Sequence, residues 1–186
     1  MKAQKEKIFD PDGDVLLILR PTCFLFGTDS LEAKVSSRHL ILASRVFRAM
    51  FNGNFREAAE LRSQEVTKVP LPDDNPNAMV ILLNIVHGLN GQVPTKISET
   101  FFLDIIMLID KYELYEAAYV FTDIWFGYLW KWTESPPPRL FHWIHICWVL
   151  RRASEFKSLT QTAILESQSG LGQSDTGPCP AFIVSN

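Results

Sequence analysis

The chain has 186 residues, 47% hydrophobic and 12% aromatic against 21% charged, a composition that excludes disorder along its whole length. It is long enough for one domain of ordinary size plus an extension, and too short for two comfortable cores. Net charge is −3 and the lysines and arginines are scattered, so there is no basic footprint to hold a phosphate backbone, and direct nucleic-acid binding is not expected.

The first residues, MKAQKEKIFDPDGD, have no apolar stretch ahead of a small-residue cleavage site, so they do not read as a secretory signal. Residues 1–13 read as a flexible lead-in. DVLLIL at 14–19, between Gly13 and Pro21, is a short apolar run bounded by breakers, the pattern of a buried strand. FLFGTDSLEAKV at 24–35 places a Gly-Thr-Asp-Ser turn cluster between two extended segments and predicts a hairpin.

VSSRHLILASRVFRAMF at 35–51 then sets two serines, an arginine and a histidine before helical spacing of Leu40, Ala43, Phe47, Met50 and Phe51, with Ser44 able to cap a second short helix. Asn52, Gly53 and Asn54 end that run. QEVTKVPL at 64–71, closed by Pro70 and Pro72, predicts a short or edge strand. In DDNPNAMVILLNIVHG, Asn75 suits an N-cap, Pro76 the first helical position and Gly88 the stop, with Ala78, Ile81, Leu82, Ile85 and Val86 on one face.

Ser98 and Glu99 open a further helix with Phe102, Ile105, Ile106 and Ile109 inward. From about 116 to 132 the spacing predicts an inward stripe of Ala117, Val120, Phe121, Ile124, Trp125, Tyr128, Leu129 and Trp132. Tyr119, Phe126 and Trp130 fall on other faces, so later residues are expected to pack back onto this helix. SPPP at 135–138 reads as a linker or sharp corner. Beyond it, 139–166 reads as two helices or one bent helix, with Phe156, Leu159, Ala163 and Ile164 inward, and 167–186 as a disordered tail rich in Ser, Gly, Gln and Pro.

The most apolar window, LFHWIHICWVL at 140–150, is about half the length needed to span hydrocarbon, so no membrane segment is expected. Cys23, Cys147 and Cys179 are odd in number and lack CxxC spacing, which argues against a disulfide framework or structural zinc and for an intracellular location, cytoplasm or nucleus.

Three patterns invite a chemical reading. Ser36 or Ser37 beside His39 suggests a nucleophile and its base, yet no Gly-x-Ser-x-Gly elbow or orienting acid accompanies them, and serine as the cap of the following helix is the simpler role. His142, His145 and Cys147 resemble a metal spacing, but on a helix 145 and 147 do not share a face. Asp104, Asp110 and Glu113 read as a solvated helix face. No phosphate-binding glycine motif occurs. No catalytic, cofactor-binding or metal-binding residue is assigned, and the aromatic excess after Val120 reads as packing for the terminal helices.

The stretch VSSRHLILASRVFRAMF resembles the core motif of BTB (POZ) domains, with Leu40, Ser44, Phe47, Met50 and Phe51 at the helix positions and Asp14 matching the Asp that opens the first strand. LPDDNPNAMVILLNIVHG and FFLDIIMLIDKYELYEAA look like the turn-helix and helix-pair segments that follow in such domains. The resemblance covers about 14–132 and is greatest to BTB proteins of filamentous fungi. It implies an α+β fold, a small sheet flanked by a helical cluster, with 139–166 as a C-terminal helical extension. It implies a non-enzymatic protein-interaction module without a cofactor, forming a homodimer or a heterodimer with another BTB protein. In the adaptor class of the family, the partner is a cullin of a ubiquitin ligase. Asp14, Arg38, His39, Arg45 and Arg48 are the interaction candidates. In some members the Asp has a basic partner; here Ser37 stands at that position, leaving Arg38 as the substitute.

Overall fold

In the computed structural model, which describes residues 5–19, 30–63, 65–131, 137 and 139–168, the chain is an α+β protein with a four-stranded sheet under a helical cluster. Strands β1 (Lys5–Ile8), β2 (Val15–Leu19), β3 (Leu31–Val35) and β4 (Thr67–Leu71) lie in the order β1-β3-β2-β4. β2 and β3 are antiparallel, with Val15 opposite Val35 and Leu17 opposite Ala33, while β1–β3 and β2–β4 are parallel pairs. Period-two burial follows: Val15, Leu17, Leu19, Leu31, Ala33, Val35, Val69 and Leu71 face the core and their neighbours do not.

The expected strand at 14–19 is β2, and the short edge strand is β4. An outermost strand accommodates Pro70, which has no N–H for a ladder. The second arm of the predicted hairpin is β3; its first arm lies outside the described residues, and the antiparallel partner of β3 is β2. Sequence patterning places no element before Asp14, where the structure has β1. That strand is mostly exposed, and Lys5 and Lys7 give the sheet edge the charge that discourages strand pairing with other chains.

Helices α1 (Ser37–Ala43) and α2 (Arg45–Asn52) meet at Ser44. Its hydroxyl oxygen accepts from the Phe47 amide at 3.0 Å, capping α2, and donates to the Tyr112 carbonyl at 2.5 Å. A third short helix, α3 (Arg56–Ser63), is polar, buries Ala58 and was not signalled by apolar spacing.

Helix α4 (Pro76–Val86) begins as predicted. Asn75 Oδ1 accepts from the amides of Asn77 and Ala78, Pro76 occupies the first position, and Gly88 follows the end at φ +72, a region glycine enters without steric cost. α5 (Glu99–Tyr112) is capped by Ser98 and buries Phe102, Ile105, Ile106 and Ile109 as expected.

In α6 (Tyr115–Trp130) the buried face differs from the predicted stripe. Ala118, Thr122, Trp125 and Phe126 are buried, whereas Val120, Ile124 and Tyr128 are exposed; Trp132 lies outside the described residues. The sequence is apolar nearly all round, so periodicity could not choose. Trp125 decides it by donating Nε1–H to the Pro94 carbonyl at 2.8 Å, and Phe126 by its edge-to-face contact with Trp143.

After the SPPP segment, most of which lies outside the described residues, come two helices rather than one bent one: α7 (Leu140–Val149) and α8 (Ala153–Gln168). α7 is the expected helix packing back onto α6. Trp143 contacts both Phe126 and Trp130, and Trp143 through Cys147 are all buried. Leu159 of α8 is buried and Phe156 and Ala163 pack against the core, but Ile164 is exposed. One continuous apolar cluster thus runs from the sheet to Leu159. Of the tail predicted at 167–186, Ser167 and Gln168 belong to α8 and the remainder lies outside the described residues.

Candidate interaction surface

The start of α1 is held from two sides. Asp14, just before β2, accepts the Ser37 amide at Oδ1 and the Ser37 hydroxyl at Oδ2, both at 2.7 Å. A carboxylate at a helix N-terminus satisfies an orphan amide and meets the positive end of the helix dipole. Such charge-assisted bonds contribute on the order of 1.5–3 kcal/mol when sheltered. The cap is therefore Asp14, not a serine side chain: Ser36 occupies the N-cap position without a side-chain capping bond. Asp14 has Ser37 as its partner and does not need Arg38.

On the other side, His87 at the end of α4 accepts the Ser36 amide at Nε2 (3.1 Å), while Nδ1 lies 2.9 Å from the Leu83 carbonyl. Acceptance at Nε2 leaves Nδ1 as the protonated nitrogen, donating to Leu83. The His87 ring stacks on His39 at 5.0 Å and lies 5.8 Å from Phe9, which follows β1. Burial, with a smaller contribution from His39, holds the His87 pKa below its ordinary value, outweighing the Leu83 bond and Asp10. β1, α4 and α1 therefore converge on one imidazole.

The Ser37 hydroxyl is thus directed to Asp14, while the His39 ring is stacked on His87. Arg38, His39 and Leu42 are exposed on α1, Leu42 at 80%. Arg45 and Arg48 are exposed on α2, and Arg48 Nε donates to the Ile41 carbonyl at 3.3 Å. The five predicted site residues thus divide. Asp14 anchors α1 from below, Arg38 and His39 lie on its outer surface, Arg48 ties α2 back to α1, and Arg45 turns elsewhere.

Arg45 lines a cavity of about 570 Å3 between α2, the end of α5 and the α7–α8 corner. Asp110, Cys147, Trp148, Arg151 and Phe156 share its wall. Arg151 sits at φ 56, a left-handed conformation, with its guanidinium 4.2 Å from the Tyr115 ring centroid, and Arg152 pairs with Asp123. Burial pushes the Cys147 thiol up to about 12, Glu155 adding to the effect and Arg152 opposing it, so the sulfur is protonated at neutral pH and a poor nucleophile.

No protein-family model matches the chain, and a search of curated proteins finds no match either.

His145 and Cys147 are buried in α7, and among the described residues no group of three or more His, Cys, Asp or Glu could hold a metal ion. Asp104 is half-buried and its Oδ2 accepts from the Asn75 side-chain Nδ2 at 2.9 Å, so it fastens α5 to the start of α4 and is not simply part of a solvated face; Asp110 and Glu113 are exposed. No helix among the described residues is long and apolar enough to cross a membrane.

Sequence patterning missed His87 as part of this surface. Its only local signal was its place before Gly88 at the helix end, and its partner Ser36 lies 51 residues away.

Proposed function

We infer that this chain is a non-enzymatic protein-interaction module of the BTB/POZ type, which associates with a second copy of itself or with a related chain through α1. The observation that carries the reading is Leu42, 80% exposed on a seven-residue helix whose start is fixed by Asp14 and His87 and whose end is fixed at Ser44. A large apolar side chain displayed on a preorganised helix binds a partner without the entropy cost of ordering a loop. Further support comes from the order of elements: apart from β1 at the start and α3 ahead of the edge strand, β2, its antiparallel partner β3, paired short helices around Ser44, edge strand, capped helix and helix pair follow the order on which the BTB resemblance rests.

Sedimentation of the full chain at tens of micromolar tests the proposal. The expected result is a dimer, with Leu42→Asp weakening self-association at least tenfold while leaving the circular dichroism spectrum and melting temperature intact. A strictly monomeric wild-type chain with no BTB-type partner overturns it.

A second reading, adaptor of a cullin ubiquitin ligase, is favoured by the cavity that α7 and α8 complete with α2 and α5. Its apolar and aromatic wall and its arginines suit a protein segment. A cullin N-terminal domain should be retained by the wild-type chain and lost on Trp148→Ala. Equal retention, or none by either, removes this reading.

A further inference from the structure

The hydrogen bonds of His87 require its neutral form. Nδ1–H donates to the Leu83 carbonyl, and Nε2 can accept the Ser36 amide only while it carries no proton. Ser36 is the N-cap residue of α1 and is itself buried, so its amide has no ready replacement in water. The charged and titratable groups around the ring come from three elements. His39 of α1 stacks at 5.0 Å, and Asp10, beyond β1, is a carboxylate whose charge favours the protonated ring. Lys7 of β1 reaches Asn84 of α4 at 3.5 Å and lies over the Phe9 ring. Asp14, the other carboxylate at this junction, is committed to Ser37. Among the described residues, burial and His39 therefore oppose a proton on His87, and the Leu83 carbonyl and Asp10 favour it less strongly.

We propose that His87 is a proton-operated latch: neutral, it pins the first turn of α1 to the end of α4, and protonated, it releases that turn. The two events are coupled because gaining the Nε2 proton and keeping the Ser36 bond are mutually exclusive. Release loosens the segment that carries Arg38, His39 and Leu42, so mild acid weakens whatever that surface binds. This last step rests on the association through α1 proposed above; the latch itself does not.

The sign follows from linkage. Burial lowers the folded-state pKa of His87, so the folded chain binds fewer protons than the unfolded one. Stability from this group is complete above the unfolded value of about 6.5 and declines as the pH falls through it towards the lower folded value. One such proton changes the folding constant by at most about tenfold per pH unit. His145, also buried and lowered by desolvation, adds a decline of the same sign, so the wild-type slope alone does not isolate the latch.

His87→Gln isolates it, since the glutamine amide can donate and accept but does not titrate. Urea unfolding between pH 7.5 and 5.0 and a nitrogen-15 NMR titration of the Ser36 amide are the measurements. In the wild type the Ser36 resonance should move with the titration of the His87 ring, at a midpoint below 6.5. In His87→Gln that movement should vanish and the stability slope should fall, leaving the His145 part. His145→Gln should show the converse: a shallower slope with the Ser36 titration retained. An unchanged Ser36 titration in His87→Gln, or a His87 midpoint at or above 6.5, overturns the latch. Sedimentation over the same range separates the two proposals: a titrating Ser36 with association that does not respond to pH sustains the latch and counts against α1 as the interface.

Discussion

Trp143→Ala should lower the unfolding free energy by about 3–5 kcal/mol, read from the urea midpoint at constant slope. Trp143 is fully buried at the centre of α7 and meets Phe126 and Trp130 of α6 edge-to-face at 5.8 and 5.4 Å. Truncation removes both ring contacts and leaves a cavity between rigid helices that cannot close onto it. One feature tempers the loss. The Trp143 Nε1–H is buried and has no acceptor among the described residues, so the wild type already carries an unpaired donor. Trp143→Phe removes that donor while keeping a ring, and should cost roughly half as much or less. If Trp143→Ala shifts stability by under about 1 kcal/mol, α7 does not belong to the cooperative core.

Asp74→Ala should cost about 2–4 kcal/mol, mostly through the group it strands. Asp74 is 1% exposed and accepts from the Tyr112 hydroxyl at 2.5 Å and from Lys111 Nζ at 2.6 Å. Lys111 is half exposed and can return to water, so its ion pair contributes only a fraction of its Coulomb energy. Tyr112 cannot do the same. Its ring is buried and stacked on Phe47 at 4.6 Å, and burial followed by the Asp74 bond and charge holds the phenol neutral well above its ordinary range.

Tyr112→Phe should therefore cost less, about 1–2 kcal/mol, because Asp74 keeps Lys111 and the ring stack survives. The double variant should fall short of the sum, since each single change orphans the same hydrogen bond. Strict additivity in that cycle would show that the carboxylate and the phenol act independently. The connection matters beyond α5, because the Tyr112 carbonyl is also the acceptor for the Ser44 hydroxyl between α1 and α2.

The features legible in the sequence are those made within one helical turn. Asn75 and Pro76 start α4, Ser98 starts α5 and Ser44 starts α2 because a capping side chain bonds an amide two or three residues ahead of it. A short apolar run between breakers marked β2, and two prolines marked β4 as a short or edge strand. The α+β class was implied by the family resemblance that those elements carry, and the structure has it.

What the sequence could not decide depended on neighbours far along the chain. Four charged and apolar residues, KEKI, become β1 only because β3 offers an edge. The inward face of α6 was open because almost every face is apolar, and Pro94 and Trp143 settled it. VSSRHLILASRVFRAMF displayed a serine near a histidine, but Asp14, 23 residues earlier, claims the serine and His87 claims the histidine ring. Local bonding and periodicity specified by themselves where α2, α4 and α5 start and which residues want burial. Which of several apolar faces turns inward, and which polar groups meet, was decided only in the tertiary structure, because those choices are set by the surfaces that the chain brings together on folding.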